Sequence, residues 1–193
     1  ISDPGQHLVD AALSEGLAIE VIPGPSAMTC ALVASGMASD HFFFEGFLPR
    51  KHGQIVQRLQ QLAQIPGTIV LYESPFRVLA TVETIAEVFP TRQVALVREL
   101  TKLHEEVVRD VAPCLAETLA TKENLKGECV LVIAAPTEEE LASTSSQAAG
   151  ESQLSFEDAI EAGLAAGTRK SALAKELAQK FGIARDEAYQ AIL

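Results

Sequence analysis

Three short runs rich in branched apolar residues, Thr68–Tyr72, Gln93–Arg98 and Glu128–Ala134, alternate with amphipathic helical stretches. A run of this length with so little polar interruption suits a strand covered on both faces, and helices between such strands supply the cover. The chain is therefore expected to build an α/β layer around a largely buried sheet. His41–Phe47 is a fourth candidate strand, Val107–Val111 a candidate edge strand, and Ala18–Ile22 a short strand ending at Pro23-Gly24-Pro25. Helices are expected from about Gln6 to Glu15, stopping at Gly16, from Ala27 to Ala34 with Ser26 as N-cap, stopping near Gly36, and near Gln54–Gln64. Periodicity does not order the strands.

Composition fits this picture. The chain is 48% apolar, enough to bury a core across 193 residues. From Thr137 to Gln153 it turns to Glu, Ser, Thr, Ala and Gly, the composition of a flexible linker. Phe156–Ala165, Ser171–Phe181 and Arg185–Leu193 then read as three short helices broken at Gly167 and Gly182. The expected organisation is a main domain over 1–136, a linker over 137–153 and a small helical module over 154–193. The module's helix, glycine turn and helix resemble a helix-turn-helix. A helical cap packed on the main domain or on a dimer reads equally well.

No run reaches the ~20 apolar residues of a membrane span, and no basic-then-apolar leader opens the chain, so a cytoplasmic protein is expected. Cys30, Cys114 and Cys129 are odd in number and widely spaced, which points to plain buried thiols rather than disulfides or zinc. A net charge of −11 gives no general attraction for polyphosphate, although a local basic patch can coexist with an acidic remainder.

Five segments carry more than ordinary α/β punctuation. Ile1-Ser2-Asp3-Pro4-Gly5, Val21-Ile22-Pro23-Gly24-Pro25-Ser26-Ala27 and Glu45-Gly46-Phe47-Leu48-Pro49-Arg50 resemble the tetrapyrrole (corrin/porphyrin) methylases in order and spacing. Leu71-Tyr72-Glu73-Ser74-Pro75-Phe76-Arg77 and Arg98-Glu99-Leu100-Thr101-Lys102 resemble the ribosomal RNA methyltransferase I branch of that superfamily. The resemblance runs from Ile1 to about Pro136. It implies the second lobe of the tetrapyrrole-methylase fold, a mixed sheet with flanking helices. It further implies an enzyme that holds S-adenosylmethionine between two lobes, methylates a cytidine ribose 2′-hydroxyl in the decoding region of 16S rRNA, and works as a homodimer. The family's first lobe would precede Ile1, so these residues would hold half of the cofactor cleft and are expected to be inactive by themselves.

Physical reasoning adds a place for that cofactor. Pro23–Ala27 lies between an expected strand end and a helix start, where open α/β sheets bind ligands and small residues let backbone approach closely. Pro23, Gly24, Ser26 and Ala27 are the candidate contacts there, with Ser26 alternatively a plain N-cap. The resemblance also implies contacts from Ile1, Tyr72, Glu73, Ala95 and Ala134. Transfer from a sulfonium is an in-line displacement that needs alignment and no metal. A ribose hydroxyl benefits from a base, for which Glu73, Glu99 and Glu45 are candidates. Each could instead be an ion pair, with Arg77, Arg98 and Arg50 as available partners. Arg50, Lys51, Arg77, Arg98 and Lys102 are candidate RNA contacts, joined by Arg169, Lys170 and Arg185 of the helical module. His104 reads better as a structural or solvated residue.

Two other readings stand beside this one. A sister enzyme acting on a precorrin-type tetrapyrrole, or on a diphthine-type modified histidine, would share the Pro23–Ala27 loop but lack the Leu71–Arg77 and Arg98–Lys102 segments. The 193 residues could also form a non-catalytic RNA-binding or dimerisation fragment.

Overall fold

The three buried runs become the centre of one five-stranded sheet. In the computed structural model the described residues are 2, 4–122, 125–141 and 156–192, with the side chains of Gln179 and Lys180 excepted. The chain divides into two compact units, Ile1–Leu141 and Ala142–Leu193.

In the first unit the elements follow as α1 (Gln6–Ser14), α2 (Ala27–Ser35), β1 (Phe42–Phe47), α3 (His52–Leu62), β2 (Thr68–Glu73), α4 (Val78–Val88), β3 (Gln93–Arg98), β4 (Glu106–Val111), α5 (Ala112–Ala120) and β5 (Cys129–Ile133). The strand order is β1-β2-β5-β3-β4, so the last strand inserts between β2 and β3. β1 runs parallel to β2, whereas β5 is antiparallel to both of its neighbours and β4 to β3. This mixed order explains the two kinds of run: β2, β3 and β5 are almost wholly buried, while β4, at an edge, is half-buried.

Strand periodicity sends alternate side chains to opposite faces. Ile69, Leu71, Val94, Leu96, Leu131 and Ile133 point to one face and pack against α3, α4 and α5. Val70, Ala95, Val97, Val130 and Val132 point to the other and meet Ala31 and Leu32 of α2. Arg109 of β4 donates to the carbonyls of Ala34 and Ser35, each at 2.5 Å, and Gly36 closes α2 in the left-handed conformation with φ +68°. A second fastening joins residues 138–141, which are helical, to the sheet. Arg92, buried over the Phe89 ring at 4.1 Å, pairs with Glu140 at 3.0 Å. Desolvation lowers the Arg92 pKa while Glu140 opposes that shift.

Three expectations need correction. Ala18–Ile22 is not a strand: residues 17–26 have no regular structure, and Val21 and Ile22 are 82% and 87% exposed. A strand exists only in a ladder, and no strand pairs with this run among the described residues. Of the cysteines, only Cys129 is buried; Cys30 and Cys114 are exposed. The segment expected to be a linker begins with the helical residues 138–141, and its remainder, 142–153, lies outside the described residues.

The second unit contains α6 (Phe156–Ala165), α7 (Lys170–Phe181) and α8 (Arg185–Ala191) around Leu173, Ala174, Leu177, Ala188 and Ile192. Phe156 meets Phe181 edge-on at 5.2 Å. Gly163 lets α6 approach α7, because a Cβ there would stand 2.3 Å from Leu173 Cδ1. Gly182, at φ +67°, ends α7 in the left-handed conformation. Among the described residues no helix is long and apolar enough to cross a membrane.

Because β5 is packed on both faces, truncating Leu131, which has no exposed surface, leaves a cavity. Leu131→Ala is expected to cost about 2–5 kcal/mol in equilibrium denaturant unfolding. An unchanged midpoint would contradict the central placement of β5.

Candidate functional site

β1, β2 and β3 share one direction, so Phe47, Glu73 and Arg98 finish at the same end of the sheet, where β5 begins at Cys129 and β4 at Glu106. The segments leaving this edge, 48–51, 74–77 and 99–105, hold Arg50, Lys51, Arg77, Glu99 and Lys102, beside Glu73 and Arg98 at the strand ends. Carboxyl ends of parallel strands are where open α/β sheets gather ligands.

All three candidate bases are hydrogen-bonded carboxylates, but they differ in what they leave open. Glu73 is buried; its Oε1 accepts the Ser74 N–H at 2.7 Å, and its Oε2 accepts the Thr81 hydroxyl at 2.8 Å and meets Arg77 at 3.3 Å. Glu45 is the extra residue of a β-bulge in β1, between Phe44 and Gly46 in register with Val70 and Leu71. Both of its oxygens are taken by Arg58, at 2.7 and 2.6 Å. Glu99 uses Oε1 alone, accepting Lys102 Nζ and the Glu128 N–H, both at 2.9 Å. The expected partner is thus found for Glu73, whereas Glu45 pairs with Arg58 instead of Arg50 and Glu99 with Lys102 instead of Arg98. Arg58 stands one helical layer away, a proximity with no short-range sequence signal.

Glu99 has a second peculiarity. It and Thr101 adopt φ +51° and +65°, backbone conformations that non-glycine residues rarely hold unless surrounding contacts enforce them. Gly127 provides the space: a Cβ there would stand 2.2 Å from Glu99 Cδ and Oε1, and its own φ is +89°. The Lys126-Gly127-Glu128 turn before a strand was the available sequence signal for this requirement. The Lys102 hydrogen bond, and after it the Glu128 amide, hold the Glu99 carboxyl below its ordinary range, and the carboxylates of Glu99 and Glu128 raise the Lys102 pKa in turn.

The candidate cations divide in the same way. Arg77 donates to the Pro49 carbonyl at 2.8 Å and reaches Leu48's at 3.4 Å, tying the 74–77 turn to the 48–51 loop. Arg98 pairs with Glu106 and donates to the Lys126 carbonyl. Arg50 and Lys51 are exposed, and neither forms an ion pair among the described residues. In the second unit, Arg169, Lys170 and Arg185 are exposed, with Asp186 and Glu187 beside Arg185.

Of the expected cofactor contacts, Ile1 lies outside the described residues. Pro23, Gly24 and Ala27 are exposed, and Gly24 has nothing within 4 Å of a built Cβ. Ser26 occupies the N-cap position of α2, yet its hydroxyl makes no capping bond. The C-terminal end of α2 is held by Arg109, whereas Met28 near its start packs in the cluster containing Tyr72 and Leu100. α2 therefore starts toward the motif-bearing edge. Tyr72 is half-buried on that face, edge-on to Phe44 at 4.9 Å and Phe47 at 5.8 Å. Two expectations fail on geometry. Ala95 has no exposed surface, being packed beneath α2. Ala134 follows β5 at the opposite end of the sheet, about 16 Å from Cys129 at roughly 3.3 Å per strand residue, with its N–H given to Gln93. Among the described residues, no three His, Cys, Asp or Glu side chains gather as a metal site.

Comparison with known proteins bears on the family and the fold. The tetrapyrrole (corrin/porphyrin) methylase family matches residues 1–116. The chain is 37% identical over 192 residues to ribosomal RNA small subunit methyltransferase I of Streptococcus pyogenes serotype M1, covering 98% of this chain and 64% of that protein. It is 44% identical over 133 residues to the protein of the same name from Hydrogenobaculum sp., covering 69% of this chain and 57% of that one. The chain thus spans about three-fifths of the length of these relatives. Among solved structures, a conserved hypothetical protein from Aeropyrum pernix K1 aligns with a TM-score of 0.52 at 19% identity, over 75% of this chain and 58% of that one, a likeness of fold.

Two outcomes follow for the 99–105 loop. Glu99's folded pKa is depressed, so its contribution is present above the ordinary glutamate value of 4.5 and is lost as pH falls through its own lower value. Hydrogen-exchange protection of the Glu128 amide is expected to hold at that ordinary value and collapse only below it; earlier loss would refute the Glu99 contact. Gly127→Ala is expected to displace Glu99 and cost at least about 1 kcal/mol in unfolding experiments.

Proposed function

Because the chain belongs to the tetrapyrrole (corrin/porphyrin) methylase family, we propose that its protein is an S-adenosylmethionine-dependent methyltransferase acting on the 2′-hydroxyl of a cytidine ribose in the decoding region of 16S rRNA. The observation that carries this reading is the similarity to ribosomal RNA small subunit methyltransferase I, which extends over 98% of the chain and therefore through the helical unit. We place it in the cytoplasm, acting on the small ribosomal subunit as a homodimer, in line with the resemblance read from the sequence.

The residues present suit one wall of a cofactor site. Gly24 leaves open space for close backbone approach, and the uncapped Ser26 hydroxyl and the first-turn amides of α2 can meet a polar ligand. Pro23 and Ala27 flank them with small, exposed surface. When bound, S-adenosylmethionine supplies a methyl group already activated on a sulfonium. The protein's own work is then to align the acceptor and receive its proton.

For that proton Glu99 is the best placed of the three carboxylates. Its Oε2 has no bond among the described residues, whereas both oxygens of Glu73 and Glu45 are engaged. A carboxyl held below its ordinary range is ionised at neutral pH, so it is ready to accept a hydrogen bond, although a weak base. Glu73 and Glu45 act structurally in this reading, fixing the 74–77 turn and the bulge of β1.

The test is radiolabelled methyl transfer by the full-length protein to small subunits lacking the modification, followed by mapping of the labelled nucleotide. Label on a decoding-region ribose is expected, with Glu99→Gln lowering transfer by about 10²–10⁴-fold and leaving the melting temperature near that of the parent. The rate should be flat through neutral pH and fall only in acid. Label on a small-molecule acceptor, with none on RNA, would overturn the reading.

A further inference from the structure

Phe76 is 92% exposed, and it is not the tip of a slack loop. The turn carrying it is closed by the Ser74 carbonyl, which accepts from Arg77 N–H at 2.9 Å and Val78 N–H at 3.0 Å. The Arg77 side chain is held through Nη2 by both Glu73 and the Pro49 carbonyl. A rigid turn therefore presents a ring that packs against almost nothing. An isolated exposed apolar residue is ordinary on a protein surface. Its neighbours make this one different.

Arg77's bond to the Pro49 carbonyl brings the turn against the loop that carries Arg50 and Lys51, two exposed cations that form no ion pair among the described residues. Arg50 and Arg77 line one open hollow of about 330 Å³ between α3 and α4, together with His52, Thr81 and Glu87. An otherwise acidic chain thus carries a fixed aromatic ring on the turn that Arg77 ties to the exposed Arg50–Lys51 loop, at the sheet edge that holds Glu99. Phosphate contacts plus a flat ring are the elements by which proteins hold an unpaired nucleotide without reading its sequence.

We propose that Phe76 is a stacking platform for an unpaired base of the RNA substrate, with Arg50 and Lys51 meeting the adjoining phosphates. This rests on the reading of the protein as an RNA methyltransferase. It adds a positioning site, distinct from the cofactor loop and from Glu99, for a nucleotide neighbouring the one that is methylated. Single-stranded RNA is favoured over an apolar protein partner because the turn that carries the ring is tied to the loop that carries Arg50 and Lys51.

The experiment compares Phe76→Ala, Phe76→Leu and Phe76→Trp in the full-length protein. It measures KM for unmodified small subunits, KM for S-adenosylmethionine, and binding of a short unpaired RNA by fluorescence anisotropy. Loss of the ring is expected to raise the small-subunit KM and weaken RNA binding by about tenfold or more in both the Ala and Leu variants. Trp should restore both, and the KM for S-adenosylmethionine should stay unchanged. Wild-type values in all three variants would overturn the proposal. Restoration by Leu as fully as by Trp would also overturn it, and would indicate an apolar protein contact. If the parent protein methylates no small subunit, the functional reading falls, and the RNA-binding ranking still decides whether Phe76 stacks.

Discussion

A buried carboxylate organises the sheet edge at which the candidate carboxylates gather. Glu73 ends β2 with almost no exposed surface, and such a charge is tolerated only when fully hydrogen-bonded. Its partners are the Ser74 N–H, the Thr81 hydroxyl of α4 and the Arg77 guanidinium. One side chain thereby fixes the turn after β2 and the start of α4. Arg77 passes the constraint on to the 48–51 loop through Pro49. Removing Arg77 would leave the buried Glu73 charge uncompensated, which costs more than the pair contributes when intact.

Much of this was legible in the sequence for a physical reason: buried strands repeat apolar residues locally, and Thr68–Tyr72, Gln93–Arg98 and Glu128–Ala134 needed no distant partner to be read. Their order was not legible, because the insertion of β5 between β2 and β3 depends on pairing across the whole unit. Ala18–Ile22 shows the converse. Its residues favour a strand, yet extended backbone without a ladder stays irregular. At the candidate site the ion-pair partner expected from the motifs held for Glu73, whose Arg77 is four residues away. It failed for Glu45, whose Arg58 comes from the helix that follows β1, and for Glu99, whose backbone is left-handed and which turns to Lys102.

The charge balance follows a similar logic. A chain with net charge −11 would seem a poor partner for RNA, but net charge averages over side chains with different duties. Arg58, Arg77, Arg92 and Arg98 are taken up in internal pairs that hold elements together. Arg50 and Lys51 remain available at one corner, so a nucleic acid would meet a local field unlike the average one.

The bulge in β1 has a consequence beyond the aiming of Glu45. β1 lies at the border of the sheet and carries Phe42, Phe43 and Phe44 in succession, a segment that pairs with no second strand among the described residues and could template a strand from another molecule. The extra residue at Glu45 and the left-handed Gly46 at φ +77° break the regular spacing just beyond the third phenylalanine. A foreign strand would find only a short stretch to pair with before the geometry turned away. The irregularity that seats an ion pair thus also guards the protein against self-association through its most apolar border.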